Sequence, residues 1–219
     1  MKTSEEETLI EKVRNFFRPK IPSYEDVLLS MIERKFHYSL EELAQRFPKT
    51  IVANKIKEDS HVTLREFDEF SFFDATFRAA EHEQNKIYEI IKEFDYLLPE
   101  SYNKENIILN NKEIGGTLLL SISRCQYAIE NKNFSQYFDL LFWIVTNDEK
   151  LISCLQNKIF ELSPPWFVFD DCLHAYRNYS WREDWKRFWE HLSEDKKQEY
   201  FMKYNAPEDW IHWLNTDKF

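Results

Sequence analysis

Carboxylates are the chemistry-bearing residues that this chain concentrates. Residues 58–100 carry twelve acids against four bases, which accounts for eight of the ten net negative charges of the 219-residue chain. Asp68, Glu69, Asp74, Glu81, Glu83, Glu89 and Glu93 form the centre of that segment. Carboxylates at such density either steer a cationic partner or hold a metal. Helical carboxylate metal sites use Glu-x-x-His pairs contributed by facing helices. The chain offers a single Asp171-x-x-His174, and Glu81-His82-Glu83 puts neighbouring ligands on different sides of a helix. No HExxH is present, and no metal or other cofactor is expected.

Nucleophilic chemistry has as little support. Cys125, Cys154 and Cys172 lie among apolar residues, without a CxxC, and read as reduced, buried thiols. Cys172 and His174, two apart, do not face each other on a helix. Phosphate-cradling loops need several glycines, and average usage of ~7% would give about 15. The chain has 2, Gly115 and Gly116, in one place. GxGxxG, GxxxxGK[ST] and GxSxG are all missing, so a dinucleotide-binding enzyme, a P-loop nucleotidase and an α/β-hydrolase are excluded. The acidity also argues against direct contact with nucleic acid, whose phosphates demand Lys and Arg.

The elements that must position these residues read as helices. Few glycines imply few tight hairpins. Capping boxes recur at Ser4–Glu7, Ser39–Glu42 and Thr63–Glu66. Helical stripes run through Leu9–Phe17, Val27–Phe36 and Leu64–Leu98, the last with a break near Ser71. On a helix starting at Phe72, residues Asp74, Arg78, Glu81, Asn85, Glu89 and Glu93 share one polar face. Further helices are expected over Thr117–Glu130, over Phe134–Val145 as an apolar central one, and from Asp148 to Ser163. The remainder lie around Cys172–Tyr179, Trp181–Leu192 and Ser193–Tyr204, with a short last one from Pro207. The expectation is an all-α fold: a single domain over 1–219, an irregular bundle of about ten helices, with a possible N-terminal subdomain over 1–60. Six of the seven tryptophans lie between Trp166 and Trp213. Trp181, Trp185 and Trp189 stand at i, i+4 and i+8, a spacing that suits a core stripe and also an interface. Met1–Glu7 has no apolar signal region, and no run of 18 apolar residues exists, so a cytoplasmic location without membrane contact is expected.

Tyr38-Ser39-Leu40-Glu41-Glu42-Leu43 with Phe47-Pro48 resembles a segment of helical bacterial immunity proteins that neutralise PoNe-type DNase toxins. Phe138-Asp139-Leu140-Leu141-Phe142-Trp143 is similar to the central apolar helix of the same family. The resemblance implies a small, acidic, non-catalytic protein that binds a cognate toxin domain. On this reading Asp68, Glu69, Asp74, Glu81, Glu83, Glu89 and Glu93 pair with Lys and Arg of a basic nuclease-type toxin. Two other functions fit the sequence. One is a helical metal-dependent hydrolase around Asp171, His174 and carboxylates of 66–83. The other is an adaptor that docks partners on the Trp-rich C-terminal face.

Overall fold

The computed structural model describes residues 22–49, 61–98, 106–111, 116–125, 139–169 and 182–216. They fall into two compact units that divide after His37. The first contributes helix α1, Tyr24–Phe36, opened by a capping box. Ser23 Oγ accepts from the Asp26 amide at 3.1 Å, and Asp26 Oδ2 accepts from the Ser23 amide at 3.0 Å. Leu28, Ile32 and Phe36 are its buried stripe.

The second unit is built on a sheet, which overturns the all-α expectation. Among the described residues it has five strands: β1 Val62–Glu66, β2 Ser71–Ala80, β3 Asn106–Asn110, β4 Thr117–Cys125 and β5 Asp139–Thr146. Their order is β1-β2-β5-β4-β3, and every neighbouring pair is antiparallel. Among the described residues, the helices of this unit are α2 Leu40–Arg46, α3 Gln84–Glu93, α4 Glu149–Leu162, α5 Trp166–Phe169, α6 Arg182–Glu190, α7 Glu194–Lys203 and α8 Glu208–Thr216. A turn of 3-10 helix, Glu81–Glu83, joins β2 to α3.

Three expected helices are therefore strands, and each has a physical reason. Over Phe73, Ala75, Phe77 and Ala79 the period is two, and these residues line one face of β2 within the main core. Within Leu64–Leu98 only the portion from Gln84 is α-helical; Thr63, read as a helix cap, sits inside β1. In β4, Leu118, Leu120 and Ile122 alternate in the same way, so a strand stands over Thr117–Cys125 in place of the helix expected over Thr117–Glu130; residues 126–130 lie outside the described residues. Leu140–Val145 is an unbroken apolar run that both periods accommodate. It is β5, third of the five strands, and an apolar run suits a strand covered on both faces. Scarce glycine does not forbid these hairpins. Phe67–Phe70 makes a four-residue connection without one, closed by the Phe67 amide donating to the Phe70 carbonyl at 2.9 Å. Gly116 stands at the entry to β4, where its carbonyl accepts from the Asn111 amide at 2.8 Å.

One face of the sheet carries Val62, Phe73, Ala75, Phe77, Leu118, Leu120, Phe142 and Ile144, packed with Ile87 and Ile91 of α3 and Leu151, Leu155 and Ile159 of α4. Asp148 fixes the start of α4: its Oδ1 accepts from the Lys150 and Leu151 amides at 3.0 Å each. Tyr96 is drawn into the same corner, its hydroxyl 3.3 Å from Asp148 Oδ2. Burial first, and the Asp148 charge with it, pushes the Tyr96 phenol upward. The other face is mixed. Leu119 and Val145 are buried beside Asp74, Ser121 and Trp143. Helix α2, capped by the Ser39–Glu42 box, ends against this side, where Phe47 meets Phe72 edge-on at 5.8 Å.

The C-terminal helices enclose a second core. Trp166, Trp185, Trp189, Trp210 and Trp213 are buried there with Tyr200, Phe201 and Tyr204. The Trp185 and Trp189 rings stack at 5.1 Å, one helical turn apart. Three aromatic residues tie this core together or bind it to α4: Trp166 Nε1 donates to the Tyr204 carbonyl, Tyr200 Oη to Phe160 O, and Tyr204 Oη to Glu161 O. Among the described residues these tryptophans are core. The helices expected over Leu9–Phe17 and Cys172–Tyr179, Trp181, and the Asp171, Cys172 and His174 side chains lie outside the described residues.

Candidate functional site

The seven carboxylates are not brought to one surface, and the four expected on one helix face do not share it: Asp74 lies in strand β2, Glu81 in the 3-10 turn, and Glu89 and Glu93 on α3. They separate into three environments.

Asp74 lies on the mixed sheet face, almost inaccessible. Its Oδ1 accepts from Trp143 Nε1 at 2.7 Å across the β2–β5 pair, and Arg65 approaches Oδ2 at 3.5 Å from β1. The register explains the geometry: Thr63 opposes Asp74, and Asp74 opposes Val145, so Arg65 and Trp143 are both diagonal neighbours. Asp74 thereby links three strands.

Glu83 is more deeply buried, with 1% of its surface exposed. Lys203 Nζ lies 2.6 Å from Oε1 and Lys86 Nζ 2.9 Å from Oε2. Tyr204 Oη lies 3.2 Å from Oε1, an alternative acceptor to the Glu161 carbonyl, and His82 Nε2 stands 3.3 Å from the same oxygen. Burial alone would raise the Glu83 carboxyl. The hydrogen bonds and charges of Lys203 and Lys86 outweigh it and hold the group below its usual range. The same contacts raise Lys86, chiefly through its bond to Glu83. Tyr204 is pushed upward by burial first and then by the Glu83 charge. This node joins the start of α3 to the end of α7, so one carboxylate couples the sheet layer to the tryptophan core.

The other five are exposed. Glu81 pairs with Arg124 at 2.8 Å and Glu89 with Lys92 at 2.7 Å, so the outer side of α3 is largely neutralised. Glu93 is exposed at the last turn of α3. Asp68 and Glu69 occupy the β1–β2 connection, and Glu66 ends β1 beside them. Within the described residues, none of these three has an ion-pair partner. Ten residues of β2, roughly 30 Å of strand, separate this tip from Glu81.

The tip has a rigid base. Phe67 and Phe70 stack at 4.5 Å and 18°, and Phe72 lies against both. Lys49 braces it from the α2 side, with Nζ donating to the Phe67 carbonyl at 3.1 Å and its amide to the Glu69 carbonyl at 3.4 Å. Three carboxylates are thus presented on a backbone held by stacked rings. Glu66, one of the twelve acids of 58–100, is placed beside Asp68 and Glu69 by the strand assignment.

Of the cysteines, Cys154 is a free thiol, partly buried on α4 and raised by burial first and the Glu93 charge second. No helix among the described residues is long and apolar enough to cross a membrane. No family model, curated protein or solved structure matches the chain.

Proposed function

We propose that this protein acts by binding: it is a cytoplasmic immunity protein that neutralises a cognate bacterial toxin domain of basic, nuclease type. The observation that carries the reading is the β1–β2 tip, where Glu66, Asp68 and Glu69 stand exposed without ion-pair partners among the described residues, on a stacked phenylalanine base. A nucleic-acid groove is lined with Lys and Arg that hold phosphates. A fixed row of carboxylates meets the same cations and keeps substrate out. The chain's charge of −10 adds a long-range field of the same sign. Asp74 and Glu83 support the surface from within, one by linking strands and the other by coupling layers; Glu81, Glu89 and Glu93 form a second, weaker acidic zone along α3.

The reading is tested in cells by co-expressing the chain with a toxin domain encoded next to its gene. Survival is expected with the wild-type chain. It should be lost when Glu66, Asp68 and Glu69 are all changed to Lys in a variant that accumulates to the same level. Equal protection by that variant would remove the tip from the mechanism. No protection by the wild-type chain, together with no complex in a low-salt binding assay, would overturn the immunity reading.

A further inference from the structure

A cleft of about 520 Å³ opens at the end of the sheet, where the end of α2, the β3–β4 hairpin and the β5–α4 junction meet. Its lining is unlike the rest of this acidic chain. Among the described residues, Arg46 is its cation, Gln45, Asn110 and Asn147 bring three amide residues, and no carboxylate lines it. The guanidinium lies 4.9 Å over the Tyr38 ring, which is itself 8% exposed and so a fixed platform. Stacking on an aromatic face leaves the edge of an arginine free to donate two parallel bonds.

We propose that this cleft binds a carboxylate that carries an amide beside it, the chemistry shared by a free N-acyl amino acid and a peptide C-terminus. Arg46 takes the carboxylate as a two-bond fork. The amides of Gln45, Asn110 and Asn147 both donate and accept, which matches the adjoining amide of such a ligand. One cation balances one negative charge; a phosphate, which carries nearly two, would call for a second cation that the described lining does not supply. The volume lies within the range of small-molecule sites. The inference is independent of the toxin reading, since the cleft and the acidic tip have no side chain in common.

The test titrates the full chain with N-acetylglycine, N-acetyltetraglycine, N-acetylglycinamide and inorganic phosphate, following amide and side-chain chemical shifts by NMR. Both carboxylates should bind and move the Gln45, Asn110 and Asn147 side-chain signals; the uncharged amide and phosphate should bind at least about tenfold more weakly. A tetrapeptide that binds tighter than N-acetylglycine assigns the site to peptide C-termini, and the reverse assigns it to free acids. Arg46→Gln should lose about tenfold or more in affinity with an otherwise unchanged spectrum, and Arg46→Lys, which keeps the charge without the fork, should fall between. Saturation by the uncharged amide at the same concentration, stronger binding of phosphate, unchanged affinity in Arg46→Gln, or no carboxylate binding at all would each overturn the proposal.

Discussion

At the scale of single residues, burial separates carboxylates that hold the fold from those exposed to solvent. Glu83 touches two lysines and a tyrosine with almost no solvent access. Breaking a fully buried pair costs ~3–5 kcal/mol, but Lys86 is half exposed and recovers solvent. Glu83→Gln should therefore lower stability by about 1–3 kcal/mol at pH 7, measured by urea unfolding. The pH dependence has a defined sign. A carboxyl held below its usual value stabilises the native state above that value and loses the contribution as pH falls. The gap between wild type and Glu83→Gln should be constant from pH 7 down to about 5, then shrink through the usual value of 4.5 and close below it. A gap that widens with acid would contradict the assignment. Asp74 makes a comparable prediction. Trp143→Phe keeps an aromatic ring but removes the indole N–H from a buried carboxylate together with part of the buried ring, and should cost at least about 1–3 kcal/mol in the same measurement.

At the scale of elements, β5 is the centre of the account. It pairs with β2 on one side and β4 on the other, and its Phe142, Ile144 and Val145 are inaccessible. Its amides should exchange with solvent only through global unfolding, and those of edge strand β3 at lower opening energy. Hydrogen exchange that releases β5 before α3 would contradict the topology. The same strand shows what was legible in the sequence. That Leu140–Val145 is apolar and central could be read directly, but an apolar run fits a helix and a covered strand equally, and periodicity alone does not choose. β2 and β4 do alternate, yet Phe72 and Leu119 on their second faces are also apolar, so the polar half of the alternation is broken. The helix starts at Ser39 and Asp148 were readable because a cap is local: one side chain and an amide two or three residues on. The strand pairings join residues as far apart as Asp74 and Trp143, and no local signal records them. For the site, the acidic composition of 58–100 was plain. Its division into buried nodes and an exposed tip was not: Asp74 is buried by the strand period, Glu83 by contacts with Lys203 and Tyr204 far along the chain, and the tip lies in a hairpin that the helical reading lacked.

At the scale of the whole molecule, a charge of −10 and an exposed acidic tip make a claim about association rather than stability. Surface substitutions away from buried nodes usually change stability by no more than ~0.5 kcal/mol, so charge reversal at the tip should leave the fold intact. Steered association is fast at low salt and slows as ions screen charges beyond about 8–10 Å. The neutralised outer side of α3 should contribute less, and reversing Glu89 alone should change the rate little because Lys92 already offsets it. The most direct measurement is the association rate of the chain with a basic toxin domain at 50 and 300 mM salt, for wild type and for the variant carrying Glu66→Lys, Asp68→Lys and Glu69→Lys. The account predicts a wild-type rate that falls steeply with salt, and a variant rate at least about tenfold lower at 50 mM with little salt dependence left. A folded variant that associates at the wild-type rate at both salt concentrations would contradict it.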